Sequence, residues 1–209
     1  MPTPHIVRSR PVGESAGTDL VILLHGYGSD ERSVLPLFDV LPATATGVAV
    51  RGTFEMADDQ YGWFLLDWGL HPDLSRVIEA AQHVLTVQDQ LAPQHRSVSV
   101  MGHSQGMAMA TTLMRLRPGA YRCAVGLSGF VVDQPLLDLG NPPQDTPTPF
   151  FWGRDPGELV INPDAQLAAG EWLEEHTALT ARTYPGMGHR VGADEIRDVG
   201  TFWGHYLKP

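Results

Sequence analysis

Short apolar segments recur along the chain, and helical patterns lie between most of them. The segments are rich in β-branched residues and are apolar throughout, which is typical of strands buried on both faces of a sheet. They run from Leu20 to Leu24, Gly47 to Val50, Val98 to Met101, Cys123 to Leu127, Pro149 to Trp152 and Leu179 to Tyr184. This arrangement predicts an α/β fold with a mostly parallel central sheet and helices on both faces. Ligands of such folds bind beyond the carboxyl ends of the strands.

Three further patterns predict the main helices outside these segments. From Asp73 to Leu91, apolar residues recur with the three- and four-residue spacing of a single buried helical face. A second helix begins at Asn162-Pro163, an N-cap residue followed by a proline in the first turn. The last helix spans Ala193 to Leu207, where Gly200 and Gly204 interrupt an otherwise helical spacing.

Length and composition exclude several classes of protein. The 209 residues fit one domain, 1–209, with a substantial core. The single cysteine, Cys123, has no partner for an internal disulfide, which favours a cytoplasmic protein. The formal net charge is −10 and no basic cluster occurs, so we expect no nucleic-acid partner. Since no segment resembles a signal peptide or a bilayer-spanning helix, we also expect no stable membrane insertion.

The strongest chemical signal is a serine between two glycines, in Gly102-His103-Ser104-Gln105-Gly106. A β-branched run precedes this pentapeptide and an apolar helical pattern follows it, so the serine stands at a turn between a strand and a helix. Glycines on both sides let the chain turn sharply enough to lift the hydroxyl clear of the backbone. Ser104 is therefore the predicted nucleophile.

A serine hydroxyl needs a base to remove its proton at neutral pH. The loop Pro185-Gly186-Met187-Gly188-His189 follows the last predicted strand, and its two glycines permit a tight excursion over the edge of the sheet. We predict that His189 is the general base. Because imidazole is protonated below about pH 6.5, activity should fall on the acidic side.

The base in turn needs a carboxylate that orients it, and this acid should follow a strand between the serine and the histidine. Asp155, directly after the strand that ends near Trp152, is the preferred candidate. Asp133, Glu158 and Asp164 are further candidates, of which Asp133 also follows a strand.

Attack on a carbonyl also needs hydrogen-bond donors for the oxyanion. We predict the backbone N–H of Gln105, which opens the helix after the serine, and that of Tyr27 in the glycine-rich turn after the first long strand. His25 in that turn is interpreted as a residue tied to neighbouring backbone. The histidines and the cysteine lack metal-ligand spacing, so we expect neither a metal nor another cofactor.

Several ordered blocks together resemble the phospholipase/carboxylesterase family of small α/β-hydrolases, which includes acyl-protein thioesterases and bacterial carboxylesterases. The blocks are His25-Gly26-Tyr27-Gly28-Ser29-Asp30-Glu31, Leu35-Pro36-Leu37, Gly62-Trp63-Phe64, Gly102-His103-Ser104-Gln105-Gly106, Leu127-Ser128-Gly129, Gly153-Arg154-Asp155 and Gly186-Met187-Gly188-His189. The resemblance implies an α/β-hydrolase fold, and a chain of 209 residues leaves little room for a separate lid domain. It also assigns Ser104, Asp155 and His189 to the catalytic triad, and Tyr27 and Gln105 to the oxyanion hole.

The chain departs from the family pattern at three places. Met107 follows the pentapeptide where a second glycine is usual, and Leu65 stands where an aspartate is common after Trp-Phe. Gly157-Glu158 replaces the usual valine-rich continuation after the acid. These differences bear on the substrate more than on the chemistry.

The expected function is hydrolysis of a small carboxylic ester, with thioesters and lysophospholipids as further candidate substrates. Trp63 and Tyr61 are predicted to line the substrate pocket, and the absence of a lid favours short to medium acyl chains. Transfer of the acyl group to an alcohol or peroxide, and ligand binding without turnover, are the alternative functions. The chain is expected to be a monomer or a homodimer.

Overall fold

The computed structural model describes residues 4–67, 69–137 and 146–207, and its main elements alternate between strands and helices. The strands are β1 (Ile6–Arg8), β2 (Asp19–Leu24), β3 (Ala45–Val50), β4 (Phe54–Ala57), β5 (Gln60–Gly62), β6 (Ser97–His103), β7 (Ala124–Leu127), β8 (Pro149–Arg154) and β9 (Ala178–Thr183). The α-helices are α1 (Leu74–Leu91), α2 (Gln105–Leu116), α3 (Pro163–His176) and α4 (Ala193–Tyr206), and a 3₁₀ helix spans Glu31–Val40.

Seven strands form the central sheet, in the order β1-β3-β2-β6-β7-β8-β9. All neighbouring pairs are parallel except β1 and β3, which pair antiparallel at one edge. β4 and β5 form a separate two-stranded ribbon. The expectation of a mostly parallel sheet is confirmed, and no separate lid domain stands over it in the described ranges.

Hydrophobic layers cover the sheet on both sides. Along β2, Leu20, Ile22 and Leu24 face a cluster that includes residues of α1, α2 and α3. Val21 and Leu23 face the opposite cluster, to which the 3₁₀ helix and α4 contribute. The alternation of side chains along a strand therefore divides the core into two layers, and this explains why the strands are apolar throughout.

Capping side chains define the start of two predicted helices. Asp73 accepts a hydrogen bond from the backbone N–H of Ser75 at the start of α1. Asn162 accepts one from Ala165 at the start of α3, where Pro163 occupies the first turn. Both caps satisfy N–H groups that lack a partner inside the helix. Among the described residues, no helix combines the length and the apolarity needed to cross a bilayer.

The close approach of α2 to β2 depends on a missing side chain. A Cβ placed on Gly106 would overlap the backbone carbonyl of Leu24, which cannot move without displacing the central strand. The glycine thus allows the first turn of α2 to pack directly on the end of β2.

Replacing Gly106 by alanine should lower the free energy of unfolding by roughly 2 kcal/mol or more, because the new methyl group has no space beside Leu24. Gly204→Ala is the matched control, since a Cβ at that helical position meets no atom within 4 Å. Alanine should stabilise α4 there by roughly 0.5–1 kcal/mol. Urea unfolding followed by circular dichroism measures both effects, and equal stability of the two variants would contradict this packing.

Candidate active site

Ser104 occupies a strained turn between β6 and α2. Its backbone has φ 54° and ψ −120°, a conformation that non-glycine residues rarely adopt. The turn requires a glycine on each side of Ser104. A Cβ on Gly102 would overlap the carbonyl group of Gly106, and a Cβ on Gly106 would overlap that of Leu24. Ser104 is the N-cap residue of α2, but its hydroxyl makes no capping bond. The strain therefore holds the hydroxyl outward, at the carboxyl edge of the sheet.

The predicted serine and histidine meet at this edge. His189 Nε2 lies 2.9 Å from Ser104 Oγ, which is within hydrogen-bond distance. His189 belongs to the loop between β9 and α4, where Gly186 and Gly188 have φ values of 83° and 69°. These left-handed conformations turn the loop back over the sheet, as the glycines in the sequence predict.

The carboxylate that faces the histidine is Glu158. Its Oε2 lies 3.3 Å from His189 Nδ1, and its side chain is only 2% exposed. The Glu158 carboxylate also accepts hydrogen bonds from the backbone N–H groups of Val160, at 2.7 Å, and Ile161. Ser104, His189 and Glu158 thus lie in the order hydroxyl, imidazole and carboxylate, with a hydrogen-bond contact at Nε2 and an ion-pair distance at Nδ1.

The preferred acid, Asp155, occupies a different place. Its Oδ1 accepts a hydrogen bond from Gly157 N at 2.9 Å and its Oδ2 accepts one from Gly188 N at 2.7 Å, so it contacts loop backbone and not the imidazole. The reason is a turn after β8, in which Glu158 N bonds to Asp155 O at 3.4 Å. This turn carries the chain from Asp155 to Glu158, which then faces Nδ1. Asp133 and Asp164 line a separate cavity and not the one that Ser104 and His189 share.

A signal for Glu158 was present in the sequence. The family continues in a valine-rich stretch after its acid, and in this chain the matching stretch Leu159-Val160-Ile161 follows Glu158. It does not follow Asp155 directly. The departure from the family pattern therefore marks a shift in the position of the carboxylate.

The histidine next to the serine is neutral at pH 7. Burial, and to a smaller degree the charge of His189, lower the pKa of His103 to about 4. The two rings lie 5.3 Å apart between centroids. Because His103 carries no charge, it does not oppose a positive charge on His189.

The predicted oxyanion donors lie beside Ser104. Gln105 is the first residue of α2, so its backbone N–H has no acceptor within the helix. A Cβ on Gly26 would lie 3.3 Å from Ser104 Cβ, which places the turn containing Tyr27 against the serine. His25 supports this turn, as expected: Nδ1 lies 2.8 Å from Gly26 O, and Nε2 accepts a bond from Gly52 N at 2.9 Å.

The residues predicted for the substrate pocket lie elsewhere. Trp63 is buried, and its Nε1 donates a hydrogen bond to His25 O at 2.9 Å. Its backbone N–H bonds to the side-chain oxygen of Gln105, whose amide nitrogen donates in turn to Phe64 O. Tyr61 lies under Arg51, whose guanidinium carbon is 4.5 Å from the ring centroid. Neither aromatic residue lines the cavity at Ser104.

That cavity has a volume of about 420 Å³ and opens between the 3₁₀ helix, the histidine loop and the start of α4. Ser104, His103, His189 and Tyr27 line it together with Ser29, Ser33 and Arg190. Its apolar wall is made by Val34, Pro36, Leu37, Val191 and Ile196. Sequence reasoning missed this wall, since its members come from two elements far apart in the chain. Within the described ranges, no group of three or more His, Cys, Asp or Glu side chains could hold a metal ion.

Comparisons with known proteins agree with this architecture. The sequence profile of the phospholipase/carboxylesterase family matches residues 11–206. A carboxylesterase from Bacillus cereus has a TM-score of 0.79 at 17% identity, over 98% of this chain and 95% of that chain. A carboxylesterase from Mesorhizobium loti has a TM-score of 0.76 at 22% identity, over 96% and 93%. SOBER1 from Arabidopsis thaliana has a TM-score of 0.77 at 24% identity, over 92% and 100%. The comparison with curated proteins gives no match.

A further carboxylate, that of Glu195, is buried between α4 and β8. Glu195, in the first turn of α4, is fully buried, and its side chain lies against Gly153 of β8. Burial raises the pKa of Glu195 to about 7, although the N–H of Gly192 offsets part of this effect. The folded protein therefore keeps a proton on Glu195 at pH values where the unfolded chain has released it.

The free energy of unfolding should consequently decrease between about pH 4.5 and pH 7, where the folded state binds the extra proton. Glu195→Gln removes this dependence and should stabilise the protein by about 1–3 kcal/mol at pH 8, with little effect near pH 4. Thermal unfolding at both pH values measures the difference. Glu174→Gln, on the exposed side of α3, controls for net charge. The same change in Tm at pH 4 and pH 8 would contradict the buried proton.

Proposed function

The chain belongs to the phospholipase/carboxylesterase family, a family of esterase-type hydrolases, and we propose that it cleaves carboxylic esters through an acyl-enzyme on Ser104. The observation that carries the proposal is the 2.9 Å contact between Ser104 Oγ and His189 Nε2. The backbone of this serine has a strained, positive φ of 54°. Such strain is retained where it positions a reacting group.

In the first half of the reaction, Ser104 Oγ bonds to the carbonyl carbon of the ester while His189 Nε2 takes the hydroxyl proton. The backbone N–H groups of Gln105 and Tyr27 stabilise the negative charge that develops on the carbonyl oxygen. The bond to the alcohol oxygen then breaks, and His189 returns its proton to the departing alcohol. The acyl group remains on Ser104.

Water completes the cycle. It attacks the acyl carbon while His189 removes one of its protons, and the bond to Ser104 Oγ breaks as that oxygen regains the proton. The products are a carboxylic acid and the free enzyme. During both halves Glu158 faces Nδ1, where its negative charge stabilises the imidazolium and fixes which nitrogen points to the serine.

The cavity supports short to medium acyl chains as the substrate class. Its volume of about 420 Å³ is at the small end of ligand-binding sites, and Val34, Leu37 and Ile196 give it an apolar wall. Small esters are thus the proposed partners. The single cysteine, which is buried, favours a cytoplasmic location, and the oligomeric state stays a prediction.

Ser104→Ala should lower kcat by about 10⁶-fold, because the nucleophile is lost while the fold is kept. A fluorophosphonate probe should label the wild type at Ser104 and leave this variant unlabelled, as read by mass spectrometry. Ser29→Ala removes another hydroxyl from the same cavity and should keep most of the activity. More than a few per cent of residual turnover in Ser104→Ala would rule out Ser104 as the nucleophile.

A series of p-nitrophenyl esters tests the substrate class. We expect kcat/KM to be highest for short to medium chains, and Ile196→Trp should move the optimum to shorter chains by narrowing the cavity. Leu167→Trp places the same side chain on an exposed part of α3 and should leave the optimum unchanged. An optimum above about sixteen carbons would contradict the assignment.

A further inference from the structure

Asp155 connects the two loops that carry the acid and the base. The Gly157 N–H, which bonds to Asp155 Oδ1 at 2.9 Å, directly precedes Glu158 in the chain. The Gly188 N–H, which bonds to Asp155 Oδ2 at 2.7 Å, directly precedes His189. Each oxygen of one carboxylate therefore holds the residue next to one member of the Glu158–His189 pair.

The surroundings of Asp155 suit an anion that binds backbone. Its residue is 5% exposed, and it follows the end of β8, which is paired with neighbours on both sides. Hydrogen bonds from the N–H groups of Gly188 and Gly157 lower the pKa of Asp155, and the N–H groups of Gly186 and Met187 add to this effect. The positive φ values of Gly186 and Gly188 turn successive N–H groups of the loop toward the carboxylate.

Where the two loops leave the sheet, Tyr184 N donates a hydrogen bond to Arg154 O at 2.9 Å, and the two bonds of Asp155 continue this connection toward Glu158 and His189. Glu158 is held within its own loop by Val160 N and Ile161 N. Across the two loops, Glu158 and His189 meet at 3.3 Å, a distance at which small displacements decide whether a hydrogen bond forms. The two hydrogen bonds of Asp155 hold the residues next to Glu158 and His189, and so bear on the distance between these two side chains without contacting either one.

We propose that Asp155 is a positioning residue that sets the Glu158–His189 contact by holding both loops, and that it does not itself orient the imidazole. The inference rests on the proposed ester hydrolysis, and it gives the two carboxylates after β8 separate tasks. Glu158 acts on the base directly, whereas Asp155 acts through Glu158.

A double-mutant cycle distinguishes this role from direct orientation of the base and from an independent effect on stability. Glu158→Gln should lower kcat by about 10³- to 10⁴-fold, the scale for loss of a triad carboxylate. Asp155→Asn keeps one acceptor oxygen but replaces the other by a donor, and should lower kcat by about 10- to 100-fold through misplacement. Because Asp155 acts through Glu158, the double variant should fall within about threefold of Glu158→Gln alone.

The measurement is kcat on a p-nitrophenyl ester, expressed per active site titrated with a fluorophosphonate, so that misfolded protein is not counted. Wild-type labelling and turnover in the same assay test the proposed hydrolysis separately from the role of Asp155. A loss in Asp155→Asn that equals or exceeds the loss in Glu158→Gln would identify Asp155 as the orienting acid. Fully multiplicative losses, or an unchanged kcat per active site in Asp155→Asn, would equally overturn the proposal.

A second pair of variants tests one of the two ties without altering the carboxylate. Gly157→Pro removes the N–H that bonds to Asp155 Oδ1, while Gly157→Ala keeps it and places a Cβ 3.5 Å from that oxygen, an ordinary contact. We expect kcat per active site to be at least fivefold lower for the proline than for the alanine variant. Equal values for the two variants would contradict a role for this hydrogen bond.

Discussion

The close packing of α2 on the central strands is the constraint on which the site depends. Gly102 and Gly106 leave no room for side chains where the helix begins, and the chain between them must turn through the strained backbone of Ser104. That turn points the hydroxyl out of the sheet, and it also directs the first N–H of α2 to the same side. The proposed nucleophile and one proposed oxyanion donor therefore both depend on a single packing contact.

Local signals were sufficient to predict the fold and the contact between Ser104 and His189, the pair proposed to react. The strand before Ser104, the glycines around it and the apolar helix after it lie within about twenty residues, so the sequence alone predicts the turn. His189 is similar, because a glycine-rich loop after a strand is a local pattern. The start of α3 is local as well, since Asn162 caps it and Pro163 follows as predicted, and α1 begins at Leu74, one residue after the predicted start.

Features that depend on distant partners could not be predicted in this way. Asp155 and Glu158 both follow β8 closely, and the turn between them brings Glu158 to the imidazole, which is supplied by the loop after β9. Trp63 is predicted to line the substrate pocket, but the side chain of Gln105 bonds to the backbone of Trp63 and Phe64, and both residues pack in the core. The apolar wall of the cavity joins the 3₁₀ helix Glu31–Val40 to α4, a pairing that no local periodicity shows.

Ser104 and His189, the pair proposed to react, follow a central strand and an edge strand of the sheet. Ser104 follows β6, which has a paired strand on each side, whereas the histidine loop leaves β9, the outermost strand, whose residues are half-buried or exposed. Local opening of an edge strand costs less free energy than opening of a central strand. Opening of β9 would move the His189 imidazole away from Ser104, which stays in place. On the proposed mechanism, activity is therefore expected to be lost on heating through this edge strand, at a lower temperature than that at which the core unfolds.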